Sequence, residues 1–305
     1  MNDLVNTLYH LMPRTALRLI LAAACAASFI LISCDGSPVV RPKPVISVSI
    51  EPQRWLLEQI VGDRMEVKTL MANGGNPETY EPSFSHLANI CRSIAFFQVG
   101  NLGFETAIIE KVRANNPDMP IFCVSESVDL IHEHECENHS HGAVDPHTWT
   151  SAINAKIMAA NMLRGMIAID SLHSAEYINN FIGLSARLDS LDSRLRAILP
   201  DSAAFIVWHP SLSYFARDYG LRQLALGAEG REPSVADLRR LIGKAEISDA
   251  RIFMIQRDFD RNQADALVAG LGGEVTVAEF SPLSYDFDTQ LISVAESIAS
   301  AATAD

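Results

Sequence analysis

Basic residues are scarce in this chain: 24 lysines and arginines face 37 aspartates and glutamates, a formal net charge of −13. That deficit argues against nucleic acid and anionic membrane surfaces as partners, and suits a soluble domain that attracts cations. Cysteines number only five and lack zinc-finger spacing. Aromatic residues make up 7% of the chain, whereas a cleft for an organic metal chelate such as a siderophore should be rich in rings and arginine. No His-Glu-x-x-His stretch and no nucleophile elbow accompany the histidines, which weighs against a zinc-dependent hydrolase with Glu78 as its general base.

One long apolar run stands out, Leu19–Ile32, preceded by Arg14 and Arg18. It is short for a membrane span with flanks and fits the apolar region of a signal peptide. It leads into Leu31-Ile32-Ser33-Cys34, which resembles a bacterial lipobox with Cys34 as the lipidated residue. We therefore expect a signal peptide over residues 1–33, a Pro-rich tether over 34–44, and a chain anchored to a lipid bilayer on the periplasmic or other extracytoplasmic face. The alternative is an uncleaved N-terminal anchor. Removing residues 1–33 takes Arg14, Arg18 and Asp3 and leaves 22 basic against 36 acidic residues, a net of −14. The remaining 270 or so residues can bury the core of one large or two ordinary domains.

What the chain has in excess is histidine in one place. Five of its nine histidines, His132, His134, His139, His141 and His147, lie in one stretch with Glu133, Glu135, Glu137, Asp145 and Cys136. Imidazole, carboxylate and thiolate together suit a borderline first-row cation, zinc before others. A solvated acidic loop, or a storage or adhesion protein using this loop alone, is the plainer alternative. Cys91 and Cys123 adjoin expected strands and are read as core residues rather than a disulfide.

From Val45 onward, short β-branched runs alternate with helical stretches. Strands are expected at 45–50, 65–71, 94–99 and 121–124, with helices at 54–61, 83–91 and 104–115. Helices follow at 152–168 and 175–199, after which strands at 203–208, 221–226, 251–255 and 274–279 alternate with helices at 211–219, 234–246, 262–270 and 289–302. This alternation predicts an α/β fold of two parallel-sheet lobes: an N-terminal lobe over 45–172 with the His-rich loop at 132–142, a linking helix over 173–199, and a C-terminal lobe over 200–305. Apolar residues at 177, 181, 184, 188, 191, 195 and 198 keep helical period through the link. Such a helix makes a stiff connector.

Ligands of open parallel sheets bind outside the carboxyl ends of the strands. Glu78 falls past the second expected strand, His147 past the fourth, His209 at the end of the first strand of the second half, and Glu279 at the end of its last. Four loops thus bring metal-ligand types to one edge, facing a cleft between lobes.

The motifs Gly62-Asp63, Gly75-Asn-Pro-Glu-Thr-Tyr-Glu-Pro82, Val99-Gly-Asn101, Asp145-Pro-His-Thr-Trp149, Trp208-His-Pro210 with Tyr214-Phe215, and Glu232-Pro-Ser234 occur in that order. With them the chain resembles the substrate-binding lipoproteins of zinc and manganese ABC transporters, the cluster A-I family. The resemblance implies two Rossmann-like lobes joined by one rigid helix, metal bound between them, and delivery to an ABC permease driven by its ATPase. It implies no catalytic activity. Carried over residue by residue, it assigns His147 and His209 as ligands and puts Glu78 where the family has a histidine. Ser281-Pro282-Leu283 stands where the family's last acidic ligand precedes a turn, so Glu279 or Asp286 is the substitute, and His86 an outside candidate. His132, His134, His139 and His141 would form an auxiliary collecting loop, as in zinc-specific members. Zinc is the expected cargo, manganese or ferrous iron the alternative, and the protein a monomer.

Overall fold

Strand β1 (Val45–Ile50) passes into helix α1 (Glu51–Val61) without an intervening loop. The junction forms three residues earlier than helical periodicity suggests, because Pro52 tolerates the first turn and the Gln53 side chain accepts from the N–H groups of Ser49 (2.8 Å) and Ile50 (3.1 Å). The computed structural model describes residues 42–71, 77, 80–132, 144–226, 234–256, 268–270 and 275–303. The expected leader with Cys34, Glu78, Cys136, His134, His139, His141 and most of the expected helix at 262–270 lie outside these. Among the described residues no helix is long and apolar enough to cross a membrane.

The first sheet continues through β2 (Glu66–Met71), α2 (Phe84–Cys91), β3 (Phe96–Gln98), α3 (Gly103–Asn115) and β4 (Ile121–Cys123). Its strands are all parallel, in the order β2-β1-β3-β4. The second sheet comprises β5 (Ala204–Val207), β6 (Arg222–Ala225), β7 (Ile252–Gln256) and β8 (Thr276–Phe280), with α6 (Ser213–Asp218) and α7 (Val235–Ile247) between them. It repeats the pattern as β6-β5-β7-β8, again all parallel. Each sheet reverses direction beside its first strand, between β1 and β3 and between β5 and β7. Those reversals are where open α/β sheets leave a crevice.

Between the sheets run α4 (Ala152–Ile169) and the 25-residue α5 (Ser174–Ile198), about 37 Å long at helical rise. The chain closes with α8 (Phe287–Ala302). Tyr177, Leu184, Leu188, Leu191 and Leu195 of α5 are buried, the face its period indicates. Period-two alternation divides the second sheet. Phe205, Val207, Ile252 and Met254 join one large core that also holds β1, β3, α1, α4, α5 and α8, while Ile206, Phe253 and Ile255 face a smaller core with Leu241 of α7.

The long helix is braced on both sides. Its Asn180 donates to Ile60 O (3.0 Å) and Asp189 accepts from Lys156 (2.6 Å). Arg187 pairs with Asp288 of α8 and lies over the Trp55 ring, 4.8 Å from its centroid. Helix α8 also reaches α1 itself, through Phe287 on Trp55 (5.6 Å between rings), and Tyr285, two residues before α8, donates to Glu58. Cys91 and Cys123 are unpaired and half-buried, so they are neither a disulfide nor full core residues.

Two outcomes follow from this packing. A Cβ at Gly165 of α4 would sit 2.6 Å from Phe97 Cε1 and 3.1 Å from Phe122 Cδ2, in a stacked ring pair. Gly165→Ala should therefore destabilise the fold by about 1–2 kcal/mol in thermal unfolding despite alanine's higher helix propensity. Because the connector is braced along its length, small-angle scattering of zinc-free and zinc-loaded protein should give superimposable radii of gyration. A wide change would show a hinge instead.

Candidate metal centre

The site starts where the chain returns from the His-rich stretch. His132 and Val144 form an antiparallel bridge, bringing the two ends of the stretch side by side. Asp145 and Pro146 follow, and then His147, which opens a short 3-10 turn over Thr148–Thr150. The Asp145 carboxylate accepts twice from His147, from the backbone N–H and from ring Nδ1, each at 2.9 Å through Oδ1. With Nδ1 donating, the neutral imidazole presents its lone pair at Nε2. His147 is 2% exposed, so its ring has little freedom to turn.

His209 comes from the other lobe, two residues past the end of β5. Its Nε2 lies 3.4 Å from Nε2 of His147, with the rings 63° apart. Two nitrogens bound to one zinc at ~2.0–2.1 Å and a tetrahedral angle would stand about 3.3–3.4 Å apart. The pair therefore already has the spacing of two ligands on one small cation.

Several bonds tie the His147 segment to the second lobe. Trp149, fully buried, donates from Nε1 to Pro282 O at 2.7 Å, Tyr214 donates to Asp145 O at 2.7 Å, and Ser151 donates to Asp218. On its own side, Thr148 shares a 2.9 Å hydroxyl bond with Ser125. Motif spelling alone assigns none of these roles. Asp145, Trp149 and Tyr214 are conspicuous in the sequence only as neighbours of the histidines, and Asp at two residues before His is the one local signal that an orienting carboxylate is present.

The other expected residues stand differently. Glu279 is exposed near the end of β8, opposite Ile255, and Asp286 is exposed just before α8. Among the described residues no group of three His, Cys, Asp or Glu side chains converges as a metal site. The Ser281-Pro282-Leu283 turn is occupied in receiving Trp149. His86 is engaged with Tyr80: the Tyr80 hydroxyl donates to Leu70 O (2.9 Å) and contacts His86 Nδ1 at 2.6 Å. His132 is exposed at the base of its loop.

A buried carboxylate absent from the sequence-level candidates shapes the first lobe's edge. Glu105, 2% exposed, accepts from the N–H groups of Val99 (2.7 Å) and Gly100 (2.8 Å) and from the Ser49 hydroxyl. Burial outweighs these bonds and pushes its carboxyl above the usual range. Gly100 has φ +116°, and a Cβ there would meet Cys123 Sγ at 2.4 Å, so the motif's glycine is required by backbone and space alike.

Asp145 is the opposite case. Burial works to raise its carboxyl, but the ring bond and charge of His147, the His147 N–H and the Ser213 hydroxyl outweigh it and leave the group below the ordinary carboxylate range. A depressed folded-state value adds stability that is present above the unfolded value, about 3.9, and lost as pH falls through the folded one. In metal-free protein, Asp145→Asn should therefore lower stability to denaturant at pH 5–7. The gap from wild type should close as pH drops below about 4.

Similarity to known proteins bears on the whole of this arrangement. A family model described as "Zinc-uptake complex component A periplasmic" matches residues 46–300. The high-affinity zinc uptake system protein ZnuA of Bacillus subtilis is 27% identical over 273 residues, covering 83% of this chain and 85% of that one. A putative metal-binding protein of Chlamydia muridarum is 27% identical over 275 residues, covering 89% and 96%. A crystal structure of ZnuA superposes with a TM-score of 0.78 at 32% identity, over 85% of this chain and 98% of that one. A match running from the first strand into the last helix, with both sheets and the long helix shared, leaves one conclusion: the chain belongs to the periplasmic zinc-uptake component A family.

Proposed function

We propose that this protein captures zinc outside the cytoplasm and hands it to an ABC permease, whose ATPase drives import. The observation that supports this most is the His147–His209 pair, one imidazole from each lobe, with Nε2 atoms 3.4 Å apart and one ring set by a carboxylate. Two nitrogens favour zinc over manganese, which prefers oxygen-rich sites. Glu78 is the proposed third ligand, with Glu279, a loop histidine or water completing the shell. A carboxylate in place of the usual histidine makes the site harder and more anionic. The zinc is cargo: it is bound, carried and released, and the protein performs no catalysis.

The remaining parts of the reading fit this role. Cys34 would carry the lipid that anchors the chain, and the protein would act as a monomer. Division into lobes at 45–172 and 200–305 with a link at 173–199 places one ligand histidine in each lobe. His132, His134, His139 and His141 would collect zinc near the cleft without being essential to the tight site.

Competitive zinc titration of four proteins tests the assignment: wild type, a deletion of residues 132–142, His147→Ala and His209→Ala. Each single substitution should weaken zinc binding by at least about 100-fold, as loss of a direct ligand does. The deletion should leave affinity within a few-fold of wild type. If instead the deletion abolishes tight binding and the two substitutions spare it, the cleft is not the site.

A further inference from the structure

Tyr214 belongs to the second lobe, on α6, five residues after His209, yet its hydroxyl is spent on the first lobe. It accepts from Ile131 N–H at 3.1 Å and donates to Asp145 O at 2.7 Å. Ile131 precedes and Asp145 follows the His132–Val144 bridge, so one buried oxygen ties both ends of the loop base. The Asp145 residue it holds by the carbonyl is the residue whose carboxylate orients His147. A short circuit results: His209 is joined through residues 210–213 to Tyr214, Tyr214 to Asp145, and Asp145 to His147.

We propose that Tyr214 is a positioning residue for zinc: through Asp145 it sets the distance between His147 Nε2 and His209 Nε2. This rests on the reading of those two histidines as ligands. The other bonds across the lobes act on the flanks of the segment. Trp149 to Pro282 and Ser151 to Asp218 lie past His147, whereas Tyr214 acts on the residue that fixes the ring. Burial, the largest influence, keeps the phenol protonated and able to donate, pushing it to about 12. The ring itself is placed independently of its oxygen. Tyr214 is fully buried, and the Arg217 guanidinium lies 5.1 Å from its centroid while Nη1 donates to Asp129 O at 2.6 Å. Tyr214→Phe thus removes the two hydrogen bonds and keeps the packing.

The test uses the full chain, with zinc competition titration and the absorption spectrum of the cobalt(II) form. Tyr214→Phe should raise the zinc dissociation constant about tenfold, as loss of a partner that orients a ligand does, and shift the cobalt bands. In a His147→Ala background the same change should alter residual affinity less than about twofold, since the ring it positions is gone. In wild type, the Ile131 amide should exchange with solvent several-fold more slowly once zinc is bound, a readout that needs no variant to fold. Wild-type affinity and cobalt bands in Tyr214→Phe, an equal loss in the His147→Ala background, or an Ile131 amide indifferent to zinc would overturn the positioning role. Tight binding by His147→Ala would overturn the ligand assignment itself, and is distinguishable because Tyr214→Phe is not needed to see it.

Discussion

A buried imidazole is useful to a cation only when something decides which of its nitrogens carries the proton. Here that decision belongs to Asp145, and much of the structure around it keeps that carboxylate in place. Thr148 is bonded to Ser125, and the backbone carbonyl of Asp145 is taken by the opposite lobe. Its carboxyl is held in the ionised form against burial by the groups it serves. Removing such a partner leaves other buried polar atoms unsatisfied, so the cost exceeds that of a single bond.

The larger framework protects that arrangement from motion. A continuous core runs from β1 and β3 through α4, α5 and α8 to one face of the second sheet. Helix α8 completes the second lobe and also packs Phe287 on Trp55 of the first, so the lobes share apolar surface as well as a connector. Close-packed interiors of this kind change between discrete arrangements more readily than they flex. Under the proposed function, capture would rest on a pair of side chains set beforehand, with little closing of one lobe on the other.

The alternation of strands and helices could be read from the chain because parallel strands are short β-branched runs and the connecting helices are amphipathic over several turns. Leu184, Leu188, Leu191 and Leu195 announced the buried face of α5, and Ser83 and Ser234 announced their helices by capping them. Boundaries were harder wherever a tertiary contact set them. Helix α1 starts early because Gln53 reaches back to β1, and β3 spans only Phe96–Gln98 although Ile94 before it also donates to Val45 O of β1. That His147 and His209 come together was legible from their places, one past the fourth strand and one at the end of the first strand of the second half. Tyr214, Trp149 and Glu105 were not, since their partners lie 69, 133 and up to 56 residues away and nothing local specifies them.

The His132–Val144 bridge also separates two kinds of sequence constraint. The residues just after it, Asp145 to Ser151, are held by bonds to both lobes, while the eleven residues inside it begin and end at neighbouring points. Lengthening a chain between fixed ends costs little, about 0.6 kcal/mol per doubling. Insertions or deletions between those two points can therefore be accommodated without moving the residues behind them.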